Sequence, residues 1–375
     1  MKITSVDAIP LAIPLEPLDP PSSWAAGTAK QIIVRIHTDA GLTGVGEAFA
    51  YGAPLGVASV IRESLAPMLV GQDATRIEGL VDQMHRATMI YGRRGLAMFA
   101  ISGVDIALWD LLGKARQAPL HELLGGAVRP RLPVYASLFR YGSPAEVARA
   151  CSGYVAEGHR RLKLHQTDVA SVRAAREAVG PDVDLMLDTN CPWSPAEAMV
   201  MARALAPYRL AWLEEPVWPP EDYEGLARVA AATETPIALG ENESTVFGFR
   251  EIVTRGAADI LQPSITKVGG VTEMRRIATL AHLANLPIAP HAFYFGPGLA
   301  ATLHVAATLG GASLATPVEM PTGVLVTPFL AEPIVARDGT VELPRGPGLG
   351  VEINEEAIRR HPYAEASATP FVLHR

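Results

Sequence analysis

Asp188, Glu214 and Glu241 are spaced 26 and 27 residues apart, and each closes a short apolar run: Val183 to Asp188, Leu210 to Glu214, Pro236 to Glu241. If those runs are neighbouring parallel strands, the three acids stand side by side at the strand tips. Carboxylates that close repel one another and are driven to protonate unless a hard divalent cation compensates their charge. Oxygen-only ligands favour Mg²⁺, with Mn²⁺ as an alternative, over zinc. A lone acid after a strand often does no more than cap the next helix. Three acids one repeat apart form a metal-site pattern instead. Glu215 points to the opposite face from Glu214 because strand side chains alternate, so Glu214 is the ligand if Leu213 faces outward.

Other strand tips add groups for proton transfer. They carry Lys163 and His165, then Asn190, Asn242, Ser264, Lys267, His291 and Glu319. Lys163 and His165 share a face, being two residues apart, and imidazole titrates in the range where reversible proton transfer at neutral pH is feasible. Against the functional reading, His165 also fits a buried structural histidine and Lys267 a solvated surface lysine.

The elements that must position these residues are eight apolar runs, each followed by a polar tip and, between runs, an Ala-rich helical stretch. They begin at Leu132 to Ser137 and Arg161 to His165. The three acid-bearing runs follow, then Asp259 to Ser264, Pro287 to His291 and Ser313 to Glu319. Eight strand-helix repeats of about 25 to 30 residues predict a parallel barrel, whose active site gathers at the C-terminal strand tips. An open doubly wound sheet is the alternative, but Leu138-Phe139-Arg140-Tyr141-Gly142 is not the Gly-rich phosphate turn it needs. Before the barrel, Ile3 to Ile13, Gln31 to His37 and Gly44 to Ala48 read as strands, and residues 56 to 125 as helices. The expected organisation is an α+β capping domain (1–125), a barrel (126–325) and a segment (326–375) that rejoins the cap.

Composition sets outer bounds. The 375 residues are 49% hydrophobic and 19% charged, enough for a large core, and the net charge of −7 lacks the basic surface that nucleic acid requires. The N-terminus lacks an apolar secretory core, and no run reaches 18 uninterrupted apolar residues, so no membrane partner and a cytoplasmic location are expected. Cys151 and Cys191 have no metal-ligand spacing, which argues against a disulfide framework or zinc knuckle.

With these residues in place, the sequence resembles the mandelate racemase and muconate lactonizing branch of the enolase superfamily over nearly its whole length. The resemblance rests on Lys163-Leu164-His165, Leu187-Asp188-Thr189-Asn190, Trp212-Leu213-Glu214-Glu215-Pro216, Gly240-Glu241-Asn242, Lys267-Val268-Gly269-Gly270 and His291. It implies an α/β fold, a (β/α)7β barrel under an α+β cap. It also implies Mg²⁺ on Asp188, Glu214 and Glu241, and removal of the proton α to a carboxylate, with a Lys or His base. By the same resemblance Lys163 contacts the substrate carboxylate, Glu319 hydrogen-bonds it as a protonated acid, and His165 is a base. Lys267 stands where the lactonizing subgroup keeps its lysine. His291 stands where the racemases keep a histidine, oriented there by an Asp that is Ser264 here, so a strong His-Asp dyad is not expected. The favoured pair of bases is His165 and Lys267, with His291 polarising or protonating. A homo-oligomer, dimer or octamer, is the family habit.

The substrate is then a small carboxylic acid. The resemblance also implies that two loops of the cap, at about residues 16–30 and 50–56, set specificity; with Trp24 and Tyr51 they are apolar and offer few partners to a polyhydroxy acid. Arg140, Tyr141, Asn190 and Trp193 are further lining candidates. The aromatic cluster of Trp24, Trp193, Trp218, Phe293, Tyr294 and Phe295 reads as core or lid. Dehydration of a hydroxy (sugar) acid ranks first, with racemisation, epimerisation or cycloisomerisation as alternatives. From another class, a non-catalytic metal-containing binding protein fits the fold but not the paired bases. A metal-dependent hydrolase barrel would want histidines on its first strand, where Tyr135-Ala136-Ser137 has none.

Overall fold

The computed structural model describes residues 1–22, 28–311 and 317–364. An antiparallel sheet in the order β1 (Ile3–Pro14), β2 (Thr28–Thr38), β3 (Thr43–Phe49) opens the chain. Its central residues Ile32, Ile33, Val34 and Ile36 are fully buried. Against it lies the Leu96–Arg116 helix, long and apolar enough to cross a membrane, yet 83% of its most apolar stretch is buried inside the protein. The helix is core because Gly46 lets the sheet approach it: a Cβ there would lie 2.1 Å from the Gly103 carbonyl oxygen.

The second sheet is curled and runs in the order β10-β4-β5-β6-β7-β8-β9, that is Val318–Pro321, Arg131–Ser137, Arg161–Leu164, Asp184–Asp188, Leu213–Glu214, Ile237–Leu239 and Ile260–Leu261, with all neighbours parallel. Together with the antiparallel cap this is the capped barrel that the repeats predict. The expected strand at Pro287 to His291 is present only as two single bridges, Leu261 to Ile288 and Ser264 to His291. The runs from Pro236 and Asp259 are shorter than expected because their tips leave the ladder, and the run from Leu210 pairs only at its tip, Leu213–Glu214. Residues 313–316 of the eighth run lie outside the described residues.

An inner layer of Tyr135, Met186, Trp212, Ala238, Ile260 and Ala289 fills the barrel. The next inward position on each strand is two residues on, which is Ser137, Asp188, Glu214, Gln262 and His291 in five of these cases. The packed layer is therefore the floor of the site. Glu241 sits three residues beyond Ala238, because Gly240 turns the chain at φ +135°.

The tail makes backbone contacts with β1. Val326 N–H donates to the Pro14 carbonyl at 3.1 Å, and Tyr363 N–H to the Pro10 carbonyl at 3.0 Å. It also serves the barrel, which was not expected: β11 (Thr340–Glu342) pairs antiparallel with β4, Val341 opposite Leu132. Alternating Val341 and Leu132, both buried, give that pairing its apolar face.

Candidate active site

The ladder puts Asp188 directly opposite Glu214. With Glu241 they offer carboxylate oxygens that all lie within 4.8 Å of one another. Asp188 and Glu214 are buried, so their repulsion is poorly screened by water. Burial and the neighbouring Asp188 charge push Glu214 up to about 8. Burial works against ionisation of the other two, yet Lys163 and His165 hold Asp188 low, and His291 and Lys267 hold Glu241 low. A compact, buried, all-oxygen donor set carrying this much charge suits a hard divalent cation such as Mg²⁺.

Cationic and imidazole groups flank the acids on two sides. On one side, Lys163 Nζ is 2.9 Å from Glu214 Oε1, 3.3 Å from Asp188 Oδ2 and 2.9 Å from Glu319 Oε1. Burial opposes its charge, but Glu214, Glu319 and Asp188 outweigh it and raise its pKa well above the usual lysine value. His165 Nε2 is 3.3 Å from Asp188 Oδ2, and its Nδ1 is 2.5 Å from the Leu138 carbonyl, which fixes Nδ1 as the protonated nitrogen of the neutral ring. On the other side, Lys267 Nζ is 3.1 Å from Glu241 Oε1 and 4.4 Å from the centroid of Phe49, a residue of the cap. His291 Nε2 is 3.0 Å from Glu241 Oε2.

Glu319 also lies in this cluster, accepting the Ala292 N–H at 2.7 Å. Burial would raise its pKa, but Lys163, His291 and Ser137 bring it down to about 2. Lys163 thus favours the ionised form of Glu319, whereas the role implied by the resemblance calls for a protonated one. Asn190 takes a positive φ of 54° and donates its N–H to Asp188 Oδ1 at 2.9 Å, so it steadies the first acid. Arg140 Nε donates to the His165 carbonyl at 2.7 Å and so lies behind that residue. Tyr51 is half-buried with its ring 4.6 Å from Phe49; burial and the charges of Glu47, Glu319 and Glu241 raise its pKa. Trp24 lies outside the described residues.

Four residues join the site that the sequence reading did not assign to it. Trp212 Nε1 donates to Glu214 Oε2 at 2.9 Å. Glu215 is buried just past β7 at a positive φ of 43°, where Asn242 Nδ2 donates to both its oxygens at 2.9 and 3.1 Å, tying the β7 tip to the turn that carries Glu241. Gln262 is buried beside Glu214, and its side-chain hydrogen bond to that carboxylate opposes the rise in pKa. Tyr294 hydrogen-bonds Ser264 and lies 3.4 Å from His291 Nδ1. The three-residue step from His291 to Tyr294 was the available signal; the aromatic cluster around it hid the hydroxyl.

A curled parallel sheet, a cap and acids on three successive strand tips define the enolase superfamily. Residues 9–125 match the mandelate racemase / muconate lactonizing enzyme N-terminal domain and residues 146–357 the enolase C-terminal domain-like family; the chain belongs to this family. It is 34% identical over 374 residues to D-galactarolactone cycloisomerase of Agrobacterium fabrum, covering 96% of this chain and 98% of that one. It is also 34% identical to arabinonate dehydratase of Saccharolobus solfataricus, over 88% of this chain and 90% of the other. Among solved structures, a mandelate racemase/muconate lactonizing protein from Paracoccus denitrificans, complexed with magnesium, superposes with a TM-score of 0.87 at 30% identity, covering 96% and 98% of the two chains. These relatives are lyases and isomerases.

Proposed function

We propose that this chain is a Mg²⁺-dependent dehydratase of a sugar-derived acid, which removes the proton α to the carboxylate and expels the β-oxygen. One observation carries the reading: a three-carboxylate cluster with a lysine and a histidine on each of two sides. Mg²⁺ on Asp188, Glu214 and Glu241 would supply positive charge where the substrate carboxylate gains its second negative charge. Lys163 adds a fixed cation on the same side. His165 and Lys267 face the α-carbon from opposite sides, and whichever meets the α-proton takes it. His291 faces the departing oxygen. The dry inner layer beneath keeps bulk water from the charged groups and strengthens each of these interactions.

Residues 1–125 then act as the cap that closes over the substrate, 126–325 as the catalytic barrel and 326–375 as the tie between them. The protein is expected in the cytoplasm as a dimer or octamer. A ring-opening cycloisomerase is the second reading, favoured by the full-length match to D-galactarolactone cycloisomerase; there the departing oxygen belongs to the substrate's own ring. Incubation with aldonic, aldaric and sugar-lactone acids in D₂O, with and without chelator, tests both. A 2-keto-3-deoxy acid lighter by one water is expected for the dehydratase, and a product of unchanged formula for the isomerase. Absence of any metal-dependent product or α-deuteration across the panel rules out both.

A further inference from the structure

Glu243 stands two residues beyond Glu241, in the turn that Gly240 opens, and its side chain is only 4% exposed. Both its oxygens are held. Oε1 accepts the Ser244 N–H at 2.7 Å, and Oε2 accepts from the Tyr223 hydroxyl and from Nη2 of Arg94, the latter at 2.7 Å. The carboxyl group also packs tightly on the next helix, Thr245–Arg255, where a Cβ on Gly248 would lie 2.2 Å from its carbon. A side chain seated this way moves only with its turn. Asn242, between the two acids, ties the same turn to Glu215.

Arg94 comes from the N-terminal domain, just before Gly95 and the Leu96–Arg116 helix. That helix is locked onto the barrel past Lys267. Ser102 Oγ accepts the Gly269 N–H at 2.9 Å, Asp105 Oδ1 accepts the Thr272 N–H at 3.1 Å, and Trp109 Nε1 donates to Thr272 Oγ1 at 2.9 Å. All three side chains are buried, so the guanidinium reaches the barrel from a fixed base. Its Nη1 branch meets Glu221 Oε1 at 3.2 Å, an exposed pair of the kind that contributes little. The branch on Glu243 serves a buried carboxylate, which without it is short of a donor.

We propose that Arg94 is a positioning residue: through Glu243 it holds the 240–244 turn, and with it the Glu241 carboxylate, in place beside Asp188 and Glu214 for the cation. The inference rests on the metal reading of the site above and adds to it a group from the other domain, so that seating of that domain and affinity for the ion are linked. Outer partners that orient a metal ligand commonly govern about 10- to 100-fold in affinity. Arg94 acts through a neighbour of the ligand, which puts its expected effect at the lower end.

Calorimetric titration with Mg²⁺ tests this, with thermal unfolding to confirm that each variant is folded at the titration temperature. Arg94→Gln and Glu243→Gln are each expected to bind Mg²⁺ about tenfold more weakly. The double variant should lose no more than about threefold beyond the weaker single one, because both changes remove the same contact. Unchanged affinity in either single variant, or losses that multiply in the double, overturn the inference. A guanidinium that only stabilised the fold would lower the unfolding temperature and leave the affinity alone. Glu221→Gln, at the exposed end of the fork, should stay within about twofold of the wild type; a loss there as large as in Arg94→Gln places the effect outside the turn and also overturns it. A second readout needs no metal: amide hydrogen exchange of the metal-free protein. Residues 240–248 are expected to exchange at least about tenfold faster in Arg94→Gln while 184–191 stay within about twofold, and equal rates at 240–248 overturn the inference. A wild type that binds no Mg²⁺ would sink the proposed function, and the exchange comparison would then decide this inference alone.

Discussion

The ammonium of Lys163 lies 2.9 Å from Oε1 of Glu319, and neither side chain is exposed. The same ammonium bridges to Glu214 and Asp188, so it is the fixed counter-charge for one flank of the acids. Lys163→Met would leave those acids buried without it, a loss of about 3 to 5 kcal/mol for a broken buried pair. The expected result is a lower denaturant midpoint that Mg²⁺ partly restores, together with loss of turnover. Unchanged unfolding without metal would mean that the acids do not depend on Lys163 for their charge balance.

The proposed metal ligands make a separate prediction about affinity. A cation that binds only the folded protein stabilises it by about 2.7 kcal/mol at one hundred times its dissociation constant. Thermal unfolding of the wild type should therefore rise with Mg²⁺ and return with chelator. Asp188→Asn and Glu241→Gln should each weaken that response at least tenfold in Mg²⁺ concentration, measured by titration. If the amide variants respond as the wild type does, the ion binds elsewhere.

Glu47 offers a pH test away from the metal ligands. It is buried on β3, where burial raises its pKa to about 8 against the opposing pull of the Gly298 N–H, 2.8 Å away. Folded-state pKa exceeds the unfolded value, so the native protein holds the extra proton. The contribution is complete below about pH 4.5 and is lost as pH rises towards 8, at no more than about 1.4 kcal/mol per unit. Unfolding free energies of the wild type and Glu47→Gln, followed from pH 5 to 9, should diverge in that sense, the variant gaining relative stability as pH rises. Parallel curves would show that Glu47 is ionised throughout.

Close approach of sheet and helix in the cap gives a stability prediction. A methyl on Gly46 would meet the Gly103 carbonyl oxygen at 2.1 Å and the Ala107 nitrogen at 2.7 Å, both backbone and unable to swing aside. Overpacking of this kind typically costs about 1 to 3 kcal/mol, and more where backbone must move. Gly46→Ala should lower the melting temperature by several degrees. A neutral result would mean that the sheet and the Leu96–Arg116 helix can separate without cost.

Much of this site is legible in the sequence, for a reason that lies in the barrel's geometry. Parallel strands in register carry a spacing of one repeat straight into space, so Asp188, Glu214 and Glu241 can be placed together before any coordinates are seen. Lys163 and His165 follow from the two-residue period. Contacts that cross the chain do not follow that way. Tyr294 reaches Ser264 through a loop, Phe49 reaches Lys267 from another sheet, and the protonation of Glu319 depends on Lys163 from a neighbouring strand. Loop composition was the weakest guide: the apolar residues near Trp24 and Tyr51 argue against polyhydroxy substrates, while the relatives named above handle sugar acids.

The two flanks of the acid cluster make the sharpest functional prediction. His165 stands by Asp188 and Lys267 by Glu241, so an α-carbon held between them presents its hydrogen to one base or the other according to its configuration. With a pair of α-epimeric sugar acids, His165→Gln should abolish α-deuteration of one epimer by about 10²-fold or more and spare the other, while Lys267→Met does the reverse. The measurement is ¹H NMR of each epimer in D₂O with each variant. Loss of exchange on the same epimer in both variants would place the two groups on one face and remove the two-sided arrangement from the mechanism. Loss on neither would leave proton removal to a residue that the site does not present.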